Sequence, residues 1–210
     1  MKTSLVRSLQ VVAGLGLATV ASQAAPQTFD FKDPKGVNHV QFKLDAPLES
    51  ITGTGTGISG SVAFDPTNPT TTRGRIVLDA ASLTVGNPLM GEHLRSDQWL
   101  DVAQFPEIVF EAVGLENVRA QGTQLTADVQ GKLTVKGVTK VIRVPVIFTH
   151  LADKLGARVG DPKVKGDLLV LRANFAINRG DFDIKPGELT DKVAEIIHLS
   201  LSIAGSAPRS

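Results

Sequence analysis

The chain has 210 residues, of which 42% are hydrophobic and 20% charged, with 22 basic residues, 21 acidic residues and no cysteine. So balanced a charge gives no electrostatic reason to expect nucleic acid or an anionic membrane as a partner. Without cysteine there is no disulfide and no lipoprotein-type anchor, so we expect the core alone to hold the fold.

The first 24 residues have the pattern of a cleavable signal peptide. Lys2 and Arg7 precede an apolar run over 9–21, and small residues follow at 22–24, which predicts cleavage after Ala24. The run is too short to span a hydrocarbon layer of about 30 Å, and no later stretch approaches the roughly 20 apolar residues of a membrane helix. We therefore expect a periplasmic or secreted protein without an integral membrane segment.

The next part of the chain changes from a polar lead-in to strands. Residues 25–36 are predicted to be loosely held, and 38–46 alternate apolar and polar residues as a half-buried strand does. The Gly- and Thr-rich run 51–61 lacks the Lys and the following helix of a phosphate loop. It favours two strands that meet at a tight corner, where glycine permits a bulge or a close backbone approach. A further strand is predicted over 75–81.

Residues 91–110 are the stretch that departs most clearly from strand alternation. Pro88 suits the first turn of a helix, and the apolar residues that follow lie on one helical stripe as far as Trp99. A Phe-Pro corner at 105–106 then returns the chain to strand. We expect a short helix here, placed between strands.

The second half of the chain is predicted to be almost entirely strand. Residues 124–135 alternate without error, Lys136-Gly137 is a hairpin candidate, and three more strands follow before a disordered tail at 206–210. About eight strands with few helices predict a single all-β domain, either a barrel or a sandwich. A closed eight-stranded barrel is wide enough to be filled by side chains or to hold one small ligand.

Catalytic and metal-binding patterns are weak. The four histidines are scattered without metal-ligand spacing, and no nucleophile elbow is present. Glu92 and Asp97 are acids on one surface helix. The sequence pattern predicts no cavity there that would desolvate one carboxyl group and give the two acids different catalytic roles. We expect no catalytic residue, no metal and no cofactor.

Five motifs resemble the YceI-like family. In chain order they are Asp65-Pro66-Thr67-Asn68-Pro69, Ile76–Asp79 with Ala81–Leu83, His93–Ser96 with Trp99–Val102, Phe105–Phe110, and the ANFAINRGDF run at 173–182. The resemblance covers roughly residues 37–205 and implies an eight-stranded antiparallel, lipocalin-like barrel with a short helix between strands. It also implies a periplasmic binder of polyisoprenoid lipids or related long amphiphiles, often a homodimer.

The inward apolar residues have two interpretations, a solid core or the wall of a lipid tunnel. With the resemblance, we predict a tunnel lined by Phe42, Phe64, Leu78, Phe110, Leu125, Val129, Phe148, Leu171, Phe175 and Ile177. At its mouth, Arg179 is predicted to contact a ligand head group or to pair with Asp181 or Asp183. Arg95 and His93 are further candidates for the mouth, with a solvated helix face as the alternative.

The expected function is carriage or sequestration of a long-chain isoprenoid lipid, either a polyisoprenoid or an isoprenoid quinone. A solid-cored structural or interaction module is one alternative. The other is an enzyme that acts on a lipid head group through Glu92, His93 or Asp97.

Overall fold

The computed structural model describes residues 26–209, so the predicted signal peptide and its cleavage after Ala24 lie outside the described residues. Within the described residues the chain forms the strands β1 (Gln27–Asp30), β2 (His39–Asp45), β3 (Ser50–Gly55), β4 (Ile58–Phe64), β5 (Arg73–Asp79), β6 (Thr84–Val85), β7 (Glu107–Gln121), β8 (Gln124–Val135), β9 (Val138–Leu151), β10 (Lys165–Asn178) and β11 (Ile196–Arg209). The α-helices are α1 (Pro88–Arg95) and α2 (Leu155–Val159), and short 3-10 turns occupy Pro69–Thr71, Ala80–Ser82 and Arg179–Phe182.

Eight of these strands close into an antiparallel barrel in the order β1-β4-β5-β7-β8-β9-β10-β11, with β1 returning to β11. This confirms the predicted eight-stranded barrel with a short helix between strands. The strict alternation in β8, and that in β10 from Leu169 onward, places one set of apolar side chains inside the barrel, because successive residues of a strand face opposite sides.

The remaining strands β2, β3 and β6 extend the sheet at one end of the barrel. Residues 198–202 of β11 pair with β2, whereas Ser206 pairs with Asp30 of β1. The strand β11 therefore changes its partner along its length. The barrel is closed by the short β1 at one end and is bordered by the β2-β3-β6 extension at the other.

Asn38 bridges the point where β11 changes its partner. Its amide nitrogen donates to the carbonyl oxygens of Phe31 and Ala204, both at 3.1 Å, and its amide oxygen accepts from the backbone N–H of Ala204 at 2.8 Å. The side chain is 1% exposed. It supplies the hydrogen bonds that a neighbouring strand would otherwise give to Ala204, since buried backbone groups need a partner.

The connection from β1 to β2 is held by Asp33. Burial raises the pKa of this carboxyl, but the backbone N–H groups of Asn38, Val37 and Lys35 donate to it and, with the charge of Arg158, keep the pKa below its usual value. The loop is therefore a fixed link between the two strands.

At both ends of the predicted domain the structure has strand where the sequence predicts a loosely held or disordered segment. The lead-in contains β1, whose Phe29 is fully buried, as is Phe31 just after it. The predicted disordered tail is also strand as far as Arg209, with Ala207 buried. A strand of four residues is too short for alternation to reveal, and the last residues gain their order from pairing with the neighbouring strand β10.

The end of the barrel near β1 is solid. Phe64 and Phe148 stack there with ring centroids 5.7 Å apart, and Phe29, Leu169 and Ile203 fill the space around them. Since fully buried apolar side chains of this size contribute about 1.5–3 kcal/mol each, this end supplies a large share of the hydrophobic stabilisation.

The helix α1 lies at the opposite end. Asn87 caps it by accepting from the backbone N–H groups of Leu89 and Met90, and Pro88 occupies its first turn as predicted. The helix ends at Arg95, so Trp99 lies in the turn after it and not on its stripe. No helix within residues 26–209 is long and apolar enough to cross a membrane.

The two predicted turns are present. Residues 51–61 form a corner between β3 and β4, which pair with other strands and not with each other. Lys136 and Gly137 connect β8 to β9 with φ values of 47° and 74°, as a two-residue hairpin of type I′ requires.

Candidate functional site

A cavity of about 420 Å³ occupies the part of the barrel that the solid end leaves free. It opens beside α1, at the end bordered by β2, β3 and β6. Its size falls within the roughly 300–1,000 Å³ of typical ligand pockets. The barrel is thus half solid and half hollow.

The wall of this cavity is almost entirely apolar because it is built from the inward residues of the alternating strands. Along β10, for example, Leu171, Ala173, Phe175 and Ile177 face it in succession. From Leu171 to Ile177 these residues follow about 20 Å of the strand, at about 3.3 Å per residue. A long narrow ligand without polar groups matches this shape and chemistry.

Glycines on neighbouring strands explain why the aromatic rings leave space inside. A Cβ atom at Gly131 would overlap the ring of Phe110, and a Cβ atom at Gly53 would overlap the ring of Phe42. Each ring therefore lies against the wall, over a position that has no side chain. Two of the largest residues in the lumen are in this way kept out of its centre.

Phe148 forms part of the floor of the cavity. It lines the cavity on one face and stacks against Phe64 on the other. The hollow part therefore ends where the phenylalanine core begins, and the cavity opens at one end of the barrel.

Eight of the ten residues predicted to line the tunnel do line the cavity: Phe42, Leu78, Phe110, Val129, Phe148, Leu171, Phe175 and Ile177. Phe64 and Leu125 instead pack in the solid core behind the floor. Alternation reveals which side of a strand faces inward, but not how far along the strand the interior is filled. Contact of these residues with a ligand stays a prediction.

Three chain segments surround the mouth: the β2–β3 turn (46–49), the stretch 85–93 that includes most of α1, and the loop 184–193. They contribute Glu49, His93 and Lys192 to the cavity lining, together with Met90, Leu189 and Val193. The backbone N–H of Leu48 donates to the carbonyl oxygen of Asp191 at 2.9 Å and ties the first segment to the third. The charged groups of the site lie at this mouth and not along the wall.

Arg179 is at the mouth, where it organises the loop 184–193. Its side chain is 1% exposed and donates to five backbone carbonyl oxygens, those of Ile184 (2.7 Å), Lys185, Glu188, Val193 (3.2 Å) and Ala194 (3.2 Å). A guanidinium has five N–H groups, so all of them are used.

This geometry corrects both interpretations of Arg179. No N–H group is left for a ligand, and neither Asp181 nor Asp183, both within the described range, accepts from it. Its charge still faces the cavity, and its guanidinium carbon lies 5.9 Å from the centroid of the Trp99 ring, a cation–π distance. Arg179 is a structural residue that adds positive potential to the mouth.

The other two mouth candidates separate in the structure. His93 lines the cavity with its side chain exposed, and its contact with a head group stays a prediction. Arg95 turns away and donates to the carbonyl oxygen of Leu83 at 2.9 Å, so it fixes α1 to the barrel and does not line the cavity. Glu92 and Asp97, the acids considered for catalysis, are exposed on the outside. Across residues 26–209 no group of three potential metal ligands converges.

Sequence reasoning missed much of the mouth. Leu189 and Lys192 lie in the loop 184–193, and Glu49 lies in the turn 46–49, where no helical or strand pattern indicates an inward face. An isolated leucine in the polar run Gly187–Lys192 was the signal available, but a single exposed leucine is common on protein surfaces.

Comparison with known proteins places this barrel among relatives. The YceI-like domain model matches residues 29–204. A UPF0312 protein of Enterobacter sp. (strain 638) is 32% identical over 209 residues, covering 97% of this chain and 98% of the relative.

Solved structures share the fold at lower identity. Burkholderia cenocepacia BcnA matches with a TM-score of 0.65 and 21% identity over 80% of this chain and 95% of that one. A polyisoprenoid binding domain from Saccharophagus degradans matches with a TM-score of 0.63 and 13% identity over 87% and 99%. On the family match and the full-length relative, the chain belongs to the YceI-like domain family.

Proposed function

We propose that this protein is an exported, non-enzymatic carrier or sequestering protein that holds one long apolar lipid, a polyisoprenoid or isoprenoid quinone, inside its barrel. The observation that carries the proposal is the long apolar cavity, open at one end and closed by a phenylalanine core at the other. A relative in fold is named as a polyisoprenoid binding domain, which supports the same ligand class.

The apolar wall fits an isoprenoid chain because such a chain has no group that needs a hydrogen bond. Burial of apolar surface at about 25 cal/mol/Å² supplies affinity without polar contacts along the wall. A ligand with polar groups distributed along its length would instead lose its hydrogen bonds to water on entry. The wall thus favours hydrocarbon over other amphiphiles of similar length.

The head group is proposed to remain at the mouth, beside His93 and Lys192. Both residues line the opening and can donate a hydrogen bond to the head group. Arg179 acts only through its charge, because its N–H groups already donate to backbone carbonyl oxygens. The polar end of the ligand then stays in contact with water.

The direct test is to identify what the purified protein contains and takes up. Organic extraction followed by mass spectrometry is expected to recover about one isoprenoid lipid per chain, and delipidated protein is expected to regain it from a soluble polyprenyl probe. Protein that is repeatedly empty and takes up no isoprenoid would overturn the proposal.

A filled cavity supplies the matched control. Ala173 is buried on β10 and lines the cavity, whereas Ala176 on the same strand is exposed. Ala173→Phe is expected to lower uptake at least tenfold because the added ring occupies the lumen, and Ala176→Phe is expected to leave uptake unchanged. Circular dichroism checks that both variants fold, and the smaller Ala173→Leu replaces Ala173→Phe if packing fails. Equal uptake by both phenylalanine variants would place the ligand outside the barrel.

The non-enzymatic part of the proposal has its own check. Glu92→Gln and Asp97→Asn are expected to leave lipid uptake unchanged and to cause no change in the recovered lipid. Chemical alteration of the bound lipid by the unaltered protein, lost in either variant, would favour the head-group enzyme instead.

A further inference from the structure

Three exposed leucines surround the mouth of the cavity. Leu48 is 68% exposed, Leu89 59% and Leu189 49%. Each belongs to a different one of the three segments that form the mouth. Exposed apolar residues are common singly, but a group arranged around one opening is a feature of interaction sites.

The arrangement connects these leucines to the interior. Leu189 lines the cavity itself, Leu89 precedes the lining residue Met90, and Leu48 precedes the lining residue Glu49. At Leu189 the apolar wall therefore continues onto exposed apolar surface. A ligand that leaves the cavity at this point meets apolar surface before it meets open water.

The charges of the rim indicate what kind of surface it fits. The turn 46–49, the stretch 85–93 and the loop 184–193 together carry two lysines and four carboxylates, Lys185, Lys192, Glu49, Glu92, Glu188 and Asp191. Lys185 and Glu188 pair at 3.6 Å. Without an excess of positive charge the rim has no attraction for anionic lipid, so its binding must come from apolar insertion.

We propose that the rim formed by Leu48, Leu89 and Leu189 docks on the surface of a zwitterionic lipid bilayer and inserts its leucines between the head groups. The inference rests on the proposed lipid-binding function. Docked in this way, the mouth faces the acyl layer, and a long apolar lipid passes between bilayer and barrel without crossing water. A bilayer fits better than a protein partner because the leucines border an opening, and an acyl layer continues the apolar path across it.

The experiment is flotation of the purified protein with vesicles of phosphatidylcholine. The triple variant Leu48→Gln/Leu89→Gln/Leu189→Gln is expected to lower the vesicle-bound fraction about tenfold or more, since each leucine removed weakens partitioning several-fold. Val141, which is 69% exposed on β9, supplies the control, and Val141→Gln is expected to float like the unaltered protein. The single variants keep the test valid if the triple variant fails to fold.

Four outcomes would overturn the docking surface. They are flotation of the triple variant equal to that of the unaltered protein, no flotation of the unaltered protein, flotation only when phosphatidylglycerol is added, and a fall in oligomer mass of the triple variant without vesicles. The last would mean that the leucines pack against a second copy.

Uptake of a soluble polyprenyl probe, measured without vesicles, separates this proposal from the function on which it rests. The double variant Leu48→Gln/Leu89→Gln keeps every residue of the cavity lining, so it is expected to retain that uptake while its flotation falls several-fold. If the unaltered protein takes up the probe but does not float with vesicles, the docking surface alone is overturned. If the unaltered protein takes up no probe, the lipid-binding function is overturned.

Discussion

At the scale of single residues, Arg179 is the side chain of the site that needs the most hydrogen-bond partners. A buried cation is costly unless its donors are satisfied, and here the backbone of the loop 184–193 and its neighbour Ala194 satisfies all five. The same contacts hold the loop over the mouth. Loop shape and burial of the charge therefore depend on each other.

Arg179→Lys is expected to destabilise the protein by about 2–4 kcal/mol, because an ammonium has three donors in place of five and leaves buried carbonyl oxygens without a partner. Urea unfolding followed by tryptophan fluorescence measures it, since Trp99 lies beside the guanidinium.

Arg95→Lys is the control for this substitution. Arg95 makes one side-chain hydrogen bond, to Leu83, and we expect a loss below about 1 kcal/mol. Equal stability of Arg179→Lys and the unaltered protein would show that the hydrogen bonds from Arg179 to the backbone carbonyl oxygens contribute nothing to the stability of the fold.

At the scale of elements, the space inside the barrel depends on how neighbouring strands pack. Phe110 on β7 lies over Gly131 of β8, and Phe42 on β2 lies over Gly53 of β3. The strands supply the phenylalanines that make the wall apolar, and they supply the glycines that let those rings lie against the wall. Neither residue alone produces an open lumen.

Gly131→Ala is expected to push the Phe110 ring into the cavity and to lower uptake of a polyprenyl probe several-fold. The new Cβ would also lie 2.8 Å from the carbonyl oxygen of Glu111, and we expect a loss of about 1–3 kcal/mol in stability from overpacking. Fluorescence uptake assays and urea unfolding measure the two effects.

The double variant Gly131→Ala/Phe110→Leu separates these effects. The smaller leucine gives the alanine room, so uptake is expected to recover towards that of the unaltered protein. If uptake stays low in the double variant, the ring of Phe110 is not the obstacle and the explanation is wrong.

Much of this architecture was predictable, and the reasons for the exceptions are physical. Alternation in β8 and β10 identified the inward faces, since burial acts on each residue separately and leaves a period of two. Arg179 shares that phase, yet which atoms its donors meet depends on a loop folded over it. Phe64 follows the alternation of its own strand β4, but the depth at which the barrel becomes solid depends on packing between strands far apart in sequence.

At the scale of the whole molecule, closure of the barrel depends on few contacts. The strand β1 has four residues and pairs with β11 at Ser206, and Asn38 supplies the next hydrogen bonds along β11. The 14-residue β11 thus connects to the seven-residue β4 through the shortest strand of the barrel. This seam is where we expect the barrel to be most sensitive to substitution.

Asn38→Ala is expected to destabilise the whole protein by about 2–4 kcal/mol, because it leaves the backbone groups of Ala204 and the carbonyl oxygen of Phe31 buried without partners. Asn174→Ala, an exposed asparagine on β10, is the control and should change stability by less than about 0.5 kcal/mol. Thermal unfolding compares them, and similar midpoints for the two variants would argue against a role for Asn38 in closure.

The pairing of β1 with β11 also determines where the two ends of the folded domain lie. Gln27 and Arg209 are both at the solid end, on the side of the molecule away from the mouth. A fluorophore or a surface tether attached beside Gln27 or Arg209 therefore leaves the opening free. A molecule immobilised in this way presents its mouth to the solution, so that the proposed exchange of lipid with vesicles can be tested on a single oriented layer of protein.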